Sequence, residues 1–228
     1  MDGERTGRID IISDAICPWC YVGKRQLERA LPMLAEQGMR FEVHWHPYQL
    51  NPDMPAEGVD RAEYRLKKFG SPERTREIDA RVGQAFAGVG LEFRPERMLR
   101  TPNTIAAHRV IWQAGRTGVQ DAAQRGVQDA VVEALFRAYF TDGRDIGDAA
   151  VLDAVAEAAG LAGVAAFLAG DEGREEVLAA DAAARRAGID GVPCFTMQGH
   201  VLFSGAMPAE TMAEAFARAW RILRQRAA

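Results

Sequence analysis

Two cysteines with two residues between them, in Cys17-Pro18-Trp19-Cys20, carry the clearest chemistry in this sequence. The attacking species in sulfur chemistry is the thiolate. A helix N-terminus, where unpaired N–H groups and the helix dipole favour negative charge, can bring a thiol from ~8.5 to between ~3.5 and ~7.5. A short β-branched run, Ile9 to Ser13, precedes the pair, and Pro18 suits the first position of a helix because its missing N–H costs nothing there. Cys17 is therefore expected at a helix start, partly exposed, as the nucleophile. Cys20, one helical turn on, can reach back and resolve a mixed disulfide formed at Cys17. Two other readings fit the pair: small buried hydrophobes, or half a zinc site. Zinc needs two further ligands, and the nearby candidates are His44 and His46, on a strand without matched spacing. No metal is assigned.

The elements that must hold these thiols follow from periodicity. After the strand at Ile9 to Ser13, a helix begins at Pro18, with Val22, Leu27, Ala30, Leu31 and Leu34 as its apolar groups. Phe41, Val43 and Trp45 alternate as one face of a second strand, completing a βαβ unit. From Asn51 to about Arg186 the pattern is helical throughout, most clearly over Val127 to Phe140. Two short strands follow, Cys194 to Met197 and Val201 to Ser204, joined by a turn fit for a hairpin. A helix from Pro208 to about Arg224 closes the chain. This order predicts an α/β thioredoxin-like domain from residues 8–50 and 187–228, interrupted by an all-helical inserted subdomain at 51–186.

Gly191-Val192-Pro193 stands directly before the third strand, where a proline is tolerated because the first residue need not donate to the ladder. Taken with the dithiol and several further stretches, it makes the chain resemble the DsbA-like branch of the thioredoxin superfamily, within it the FrnE-like oxidoreductases. The stretches are Asp14-Ala15-Ile16-Cys17-Pro18-Trp19-Cys20-Tyr21-Val22-Gly23, Pro47-Tyr48-Gln49-Leu50-Asn51-Pro52, Asn103-Thr104 with Ala107-His108-Arg109, Leu135 to Phe140, Gly188 to Pro193 and Ser204-Gly205-Ala206. The resemblance spans nearly the whole chain. It implies a thioredoxin fold with a helical insertion, a disulfide-exchange activity, a cis-Pro193 facing the Cys17 sulfur, and a Val192 backbone offered to an extended substrate or to glutathione. Kappa-class glutathione transferases and hydroxychromene carboxylate isomerases are similar in fold but commonly carry serine at the first cysteine position. The chain keeps both thiols, which favours dithiol exchange over a glutathione-dependent isomerase or transferase acting on a small aromatic or polyketide-like substrate, or a redox-inactive chaperone-like binder. Cys194 and Met207 depart from the family pattern. Cys194 is expected to be buried and unpaired.

Other candidates are weaker. Trp19, a large apolar surface between two thiols, suits substrate contact, as does Pro18 beside it. Asn103 and His108 could line a cleft between core and insert, or could cap a helix and satisfy a buried carbonyl. His44 and His46 share one strand face and could supply charge to a thiolate, although packing under the insert accounts for them too. Arg185-Arg186 read as a solvated helix end. Among 228 residues, 48% are hydrophobic and 26% charged, the balance of a globular protein, and the net charge of −4 gives no electrostatic footprint for nucleic acid or an anionic membrane. No apolar leader or membrane-length run is visible, so a cytoplasmic, reducing setting is expected, one in which structural disulfides rarely persist. The expected partners are thiol or disulfide substrates, protein or small molecule. No bound cofactor is implied; glutathione is a candidate co-substrate, and the protein a monomer or homodimer.

Overall fold

β1 (Gly7–Ser13) is the centre of the molecule, with Ile9 and Ile11 wholly buried on one face and Ile12 on the other. In the computed structural model, which describes residues 6–117 and 126–226, this strand pairs in parallel with β2 (Phe41–Pro47) along its whole length. Residues 1–5, part of the charged N-terminal stretch, lie outside the described residues. α1 (Pro18–Ala35) connects the two strands and turns Leu27, Ala30 and Leu34 into the core. Pro32 lies inside this helix.

The segment that follows is helical, as expected, apart from one short ribbon. β3 (Val59–Asp60) leads into α2 (Arg61–Phe69) and α3 (Pro72–Gly88), and β4 (Arg100–Thr101) pairs antiparallel with β3. Two residues a side are too few to leave an alternating pattern, so the ribbon has no sequence signature. α4 (Ile105–Gly115), α5 (Val127–Phe140), α6 (Ala149–Ala158), α7 (Val164–Ala169) and α8 (Arg174–Arg186) continue this helical segment. The chain then returns to the sheet as β5 (Cys194–Met197) and β6 (His200–Ser204), giving the order β2-β1-β5-β6, and ends in α9 (Ala209–Arg226). The two turn residues of the hairpin, Gln198 and Gly199, have φ of 49° and 78°. Positive φ at both positions matches the right-handed twist of the strands they join.

α1 is fastened to α5 by aromatic stacking and by charge. The Tyr21 ring stacks on Phe136 at 5.0 Å, and its hydroxyl donates to Glu133 Oε1 at 2.7 Å. One turn on, Lys24 is only 2% exposed, yet its ammonium meets Glu28 at 2.5 Å, Asp129 at 3.0 Å and Glu133 at 3.2 Å. Burial alone would push Lys24 down, but the three carboxylates outweigh it and hold it above its ordinary value of 10.5. Burial alone would likewise raise Glu28, but Lys24 and Arg25 outweigh it and hold it below 4.5. The lysine's raised value gives stability that is complete below 10.5 and is lost as pH rises further; the glutamate's lowered value gives stability that is complete above 4.5 and is lost on acidification. Removing the ammonium leaves Asp129 without its cation and Arg25 alone to face Glu28 and Glu133, so Lys24→Met should cost up to about 3–5 kcal/mol near neutral pH. Denaturant unfolding across a pH series checks this: the deficit should shrink in acid as the stranded carboxylates take up protons, and a deficit independent of pH would assign it to packing instead.

Candidate active site

The thiols are placed by backbone geometry. Cys17 is the N-cap of α1, with extended φ and ψ of −88° and 113°, and Pro18 follows in the first helical turn. The Cys17 N–H donates to the Asp14 carbonyl at 3.0 Å, closing the loop from β1, and the Cys17 carbonyl accepts from Cys20 N–H at 3.1 Å. The Cys17 sulfur therefore sits at the helix end where unpaired N–H groups collect. It is less open than the sequence suggests: Cys17 is 3% exposed, and its thiol donates to the Val192 carbonyl at 3.5 Å, so the loop before Pro193 covers it. Trp19 is 43% exposed and presents the apolar surface of the motif. Pro18 is half-buried beside it.

Cys20 lies wholly inside. Desolvation, reinforced by the neighbouring Cys17, pushes its thiol well above the ordinary 9.0, against the pull of the Ser13 hydroxyl and the Asp14 backbone. The pair is thus asymmetric, with one sulfur at a helix end beneath the Val192 carbonyl and the other enclosed behind it. Both are free thiols in this structure.

The Val192–Pro193 peptide is cis, and the Pro193 carbonyl accepts from Gly205 N–H at 2.8 Å. Gly23, one turn beyond Cys20, lets α1 approach this loop: a Cβ there would lie 3.0 Å from Pro193 Cγ and 3.5 Å from the Phe195 ring. Sequence reading gave Gly23 no role, since only the fold brings position 193 against it. Cys194, the next residue, faces away from the dithiol. It is wholly buried in a separate cluster with Ile12 and Tyr48, on the side of the sheet toward α8, and burial raises its thiol. Cys17 and Cys20 belong to the main core instead.

Asp14 is another residue for which the sequence offered no role. Its carboxylate is completely buried; Oδ2 accepts from Leu50 N–H at 2.8 Å, and Oδ1 lies 3.3 Å from His108 Nε2. His108 Nε2 also reaches the Tyr48 carbonyl at 3.2 Å. His108 is thus joined to the dithiol loop through Asp14 rather than placed at the sulfurs. Asn103 turns its side chain to the backbone instead of the thiols: it accepts from Ile105 N–H at 3.0 Å and donates to the Met54 carbonyl at 2.7 Å, which ties the start of α4 to the loop after β2. His46 pairs with Asp10 at 2.6 Å and His44 faces Glu42 at 3.5 Å, so both histidines engage carboxylates on the sheet. Arg185 does more than end α8. Its guanidinium lies 4.3 Å over the Tyr48 ring and binds Asp181 and the Gln49 carbonyl, clamping the segment that carries Leu50.

Beyond Leu50 an open groove of about 720 Å³ runs between the loop 50–55 and α2, walled by Asn51, Met54, Tyr64, Lys67 and Lys68. Tyr64 donates to Asn51 at 2.6 Å and accepts from Lys68 at 2.7 Å. One end of the groove is therefore a single hydrogen bond from Asp14 and the dithiol loop.

A four-stranded β2-β1-β5-β6 sheet with a Cys-x-x-Cys helix start, set against a proline loop, defines a protein of the thioredoxin fold. Residues 8–217 match the DSBA-like thioredoxin domain, and the chain belongs to that family. A "probable DsbA oxidoreductase" from Streptomyces coelicolor is 30% identical, with a TM-score of 0.81 over 94% of this chain and 90% of that one. The uncharacterized protein YwbO of Bacillus subtilis is 26% identical over 158 residues, 69% of this chain and 68% of its own length. The cytosolic disulfide reductase DsbM of Pseudomonas aeruginosa, solved with glutathione, shares the fold at 18% identity and a TM-score of 0.58, over 96% of this chain and 99% of that one.

The Gly23 contact can be tested directly. Gly23→Val should cost about 1–3 kcal/mol by overpacking and slow exchange at the dithiol by displacing the Pro193 loop. Gly23→Ala should be milder, because up to ~1 kcal/mol of helix propensity offsets its contact. Thermal melts and a disulfide-exchange assay read both effects; a valine variant matching the native protein in each would show that Gly23 does not set this spacing.

Proposed function

We propose that the protein is a FrnE-like thiol–disulfide oxidoreductase in which Cys17 is the nucleophile and Cys20 the resolving thiol. The observation that carries this reading is the asymmetry of the pair: Cys17 caps a helix under the Val192 carbonyl while Cys20 is enclosed behind it. In the reducing direction the Cys17 thiolate attacks a substrate disulfide, one substrate sulfur leaves as a thiolate and takes up a proton, and a mixed disulfide remains. Cys20 then loses its proton and attacks the Cys17 sulfur, releasing the second substrate thiol. Two electrons pass to the substrate and the protein keeps a Cys17–Cys20 disulfide. Two molecules of glutathione, leaving as glutathione disulfide, would return it to the dithiol; the same steps reversed oxidise a substrate dithiol.

Trp19 and Pro18 would form the apolar lip of the substrate site, and the Val192 backbone would hold an extended thiol substrate. The groove beyond Leu50, with Lys67 and Lys68 on its wall, offers cations for the carboxylates of glutathione. In this reading the segment 51–186 is an inserted subdomain that builds one wall of the site, and the histidine and asparagine in it, His108 and Asn103, position loops. The setting is cytoplasmic, with protein or small-molecule thiols as partners and without nucleic acid or membrane. Among the described residues no helix is long and apolar enough to cross a membrane.

Cys20→Ala should leave the attack by Cys17 intact and stop the reaction at the mixed disulfide. Trapping with this variant, read by non-reducing gels and mass spectrometry, should therefore yield covalent adducts at Cys17 that the native protein and Cys17→Ser do not accumulate. A glutathione-dependent isomerase would need Cys17 alone, so full turnover by Cys20→Ala would contradict the dithiol mechanism.

A further inference from the structure

Cys20 must lose a proton before it can attack, yet it is wholly buried and its thiol is held well above 9.0. At that moment Cys17 is tied up in the mixed disulfide, so the proton has to pass to another group inside the protein. The ionisable groups on the neighbouring elements are committed elsewhere. On α1, Tyr21 donates to Glu133, and Lys24 keeps its proton among Glu28, Asp129 and Glu133. On α5, Asp129 also accepts from the Trp45 indole. On β2, His46 faces Asp10; on α8, Asp181 holds Arg185 and Gln49 N–H. Cys194 of β5 belongs to the other side of the sheet, and Arg109 of α4 donates to the Phe167, Gly170 and Glu172 carbonyls.

Asp14 and His108 remain. Both are buried, and Asp14 Oδ1, 3.3 Å from His108 Nε2, has no hydrogen-bond partner among the described residues. A buried carboxylate oxygen without a donor calls for a reason. Nε2 faces two acceptors, this oxygen and the Tyr48 carbonyl at 3.2 Å, so Nε2 carries the ring hydrogen and Nδ1 is the basic nitrogen. A proton taken up at Nδ1 makes the ring a cation, and the unsatisfied Asp14 oxygen is placed to meet that charge. The way from the sulfur is short. The Cys20 sulfur interacts with the Ser13 hydroxyl, and Ser13 and His108 both line a cavity of about 10 Å³, the room of a single water. We propose that His108, with Asp14 as its positioning residue, accepts the Cys20 proton during resolution through Ser13 and one water, a role that rests on the dithiol mechanism above. The thiol gives its proton to Ser13, Ser13 passes its own to the water, and the water passes one to Nδ1. The Cys20 thiolate then bonds to the Cys17 sulfur as the bond from Cys17 to the substrate sulfur breaks, and the substrate leaves as a thiolate that takes a proton from solvent. When glutathione later attacks the disulfide at Cys17, Cys20 leaves as a thiolate and recovers the proton from His108.

Stopped-flow mixing of the reduced protein with one equivalent of a symmetric aromatic disulfide, dithiobis(nitrobenzoic acid), reads the steps separately. Attack by Cys17 releases one coloured thiolate, and resolution by Cys20 releases the second. His108→Gln should leave the first rate unchanged and slow the second by about a hundredfold near neutral pH, the scale of a lost proton acceptor. The deficit should shrink as pH rises, because hydroxide then takes the Cys20 proton unaided. Asp14→Asn, which keeps an acceptor for Leu50 N–H, should also slow the second rate selectively. Ser13→Ala, the loss of a single oxygen, should do the same and supplies the test should His108→Gln not fold. Variants that slow both steps alike at every pH would assign these residues to holding the loop and overturn the proposal, as would a second rate that the variants leave unchanged. Release of only one thiolate by the native protein would overturn the dithiol mechanism itself, and the proposal with it.

Discussion

The buried carboxylate of Asp14 is the constraint on which the dithiol site rests. Taking a carboxylate out of water costs several kcal/mol unless hydrogen bonds and a compensating charge meet it. Here Oδ2 accepts from Leu50 N–H, while Oδ1 lies 3.3 Å from His108 Nε2 and has no hydrogen-bond partner among the described residues; the residue's own carbonyl fixes Cys17 N–H and its backbone is felt at Cys20. Four parts of the chain meet at this residue: the end of β1, the start of α1, the loop after β2, and α4. Through these contacts the helix start, and so the Cys17 sulfur, is tied to the loop after β2 and to α4. The Tyr48 to Leu50 segment is held again from behind by Arg185 and Asp181, so the loop that receives the Asp14 bond is fastened on its other side as well.

From that anchor the two sulfurs acquire different environments. Cys17 meets the N–H end of a helix and a backbone carbonyl from the Pro193 loop; Cys20 meets the core. The difference comes from burial and position, for the residues are chemically identical. The Tyr21 stack and the Lys24 cluster, one and two turns along α1, keep the helix pressed against α5 and so preserve the orientation of its first turn. Gly23 serves the same end on the opposite side, by letting the Pro193 loop close over the thiols.

Features set by local sequence were legible in it. Cys17, Pro18 and Cys20 declare a helix start by their spacing, the alternation of Phe41, Val43 and Trp45 declares a strand, and α5 begins and ends where its apolar spacing does. The family resemblance supplied what spacing could not, the pairing of the Pro193 loop with the dithiol. Features made by long-range contact were not legible. Asp14 reads as an ordinary loop aspartate until Leu50 is brought beside it; Arg185 reads as a solvated helix end until Tyr48 lies beneath it. The β3–β4 ribbon is too short for periodicity to register, and the covering of Cys17 depends on a loop that arrives from the other end of the chain. In each case the missing information is a partner distant in sequence.

The account turns on Cys17 being the reactive thiol while Cys20 and Cys194 are held unreactive by burial. Competitive alkylation with iodoacetamide in mildly acidic buffer, followed by peptide mapping of the native protein, measures this directly. The account predicts that label accumulates first at Cys17, with Cys20 and Cys194 modified only after the protein unfolds. Labelling of Cys20 or Cys194 ahead of Cys17 in the folded protein would contradict it.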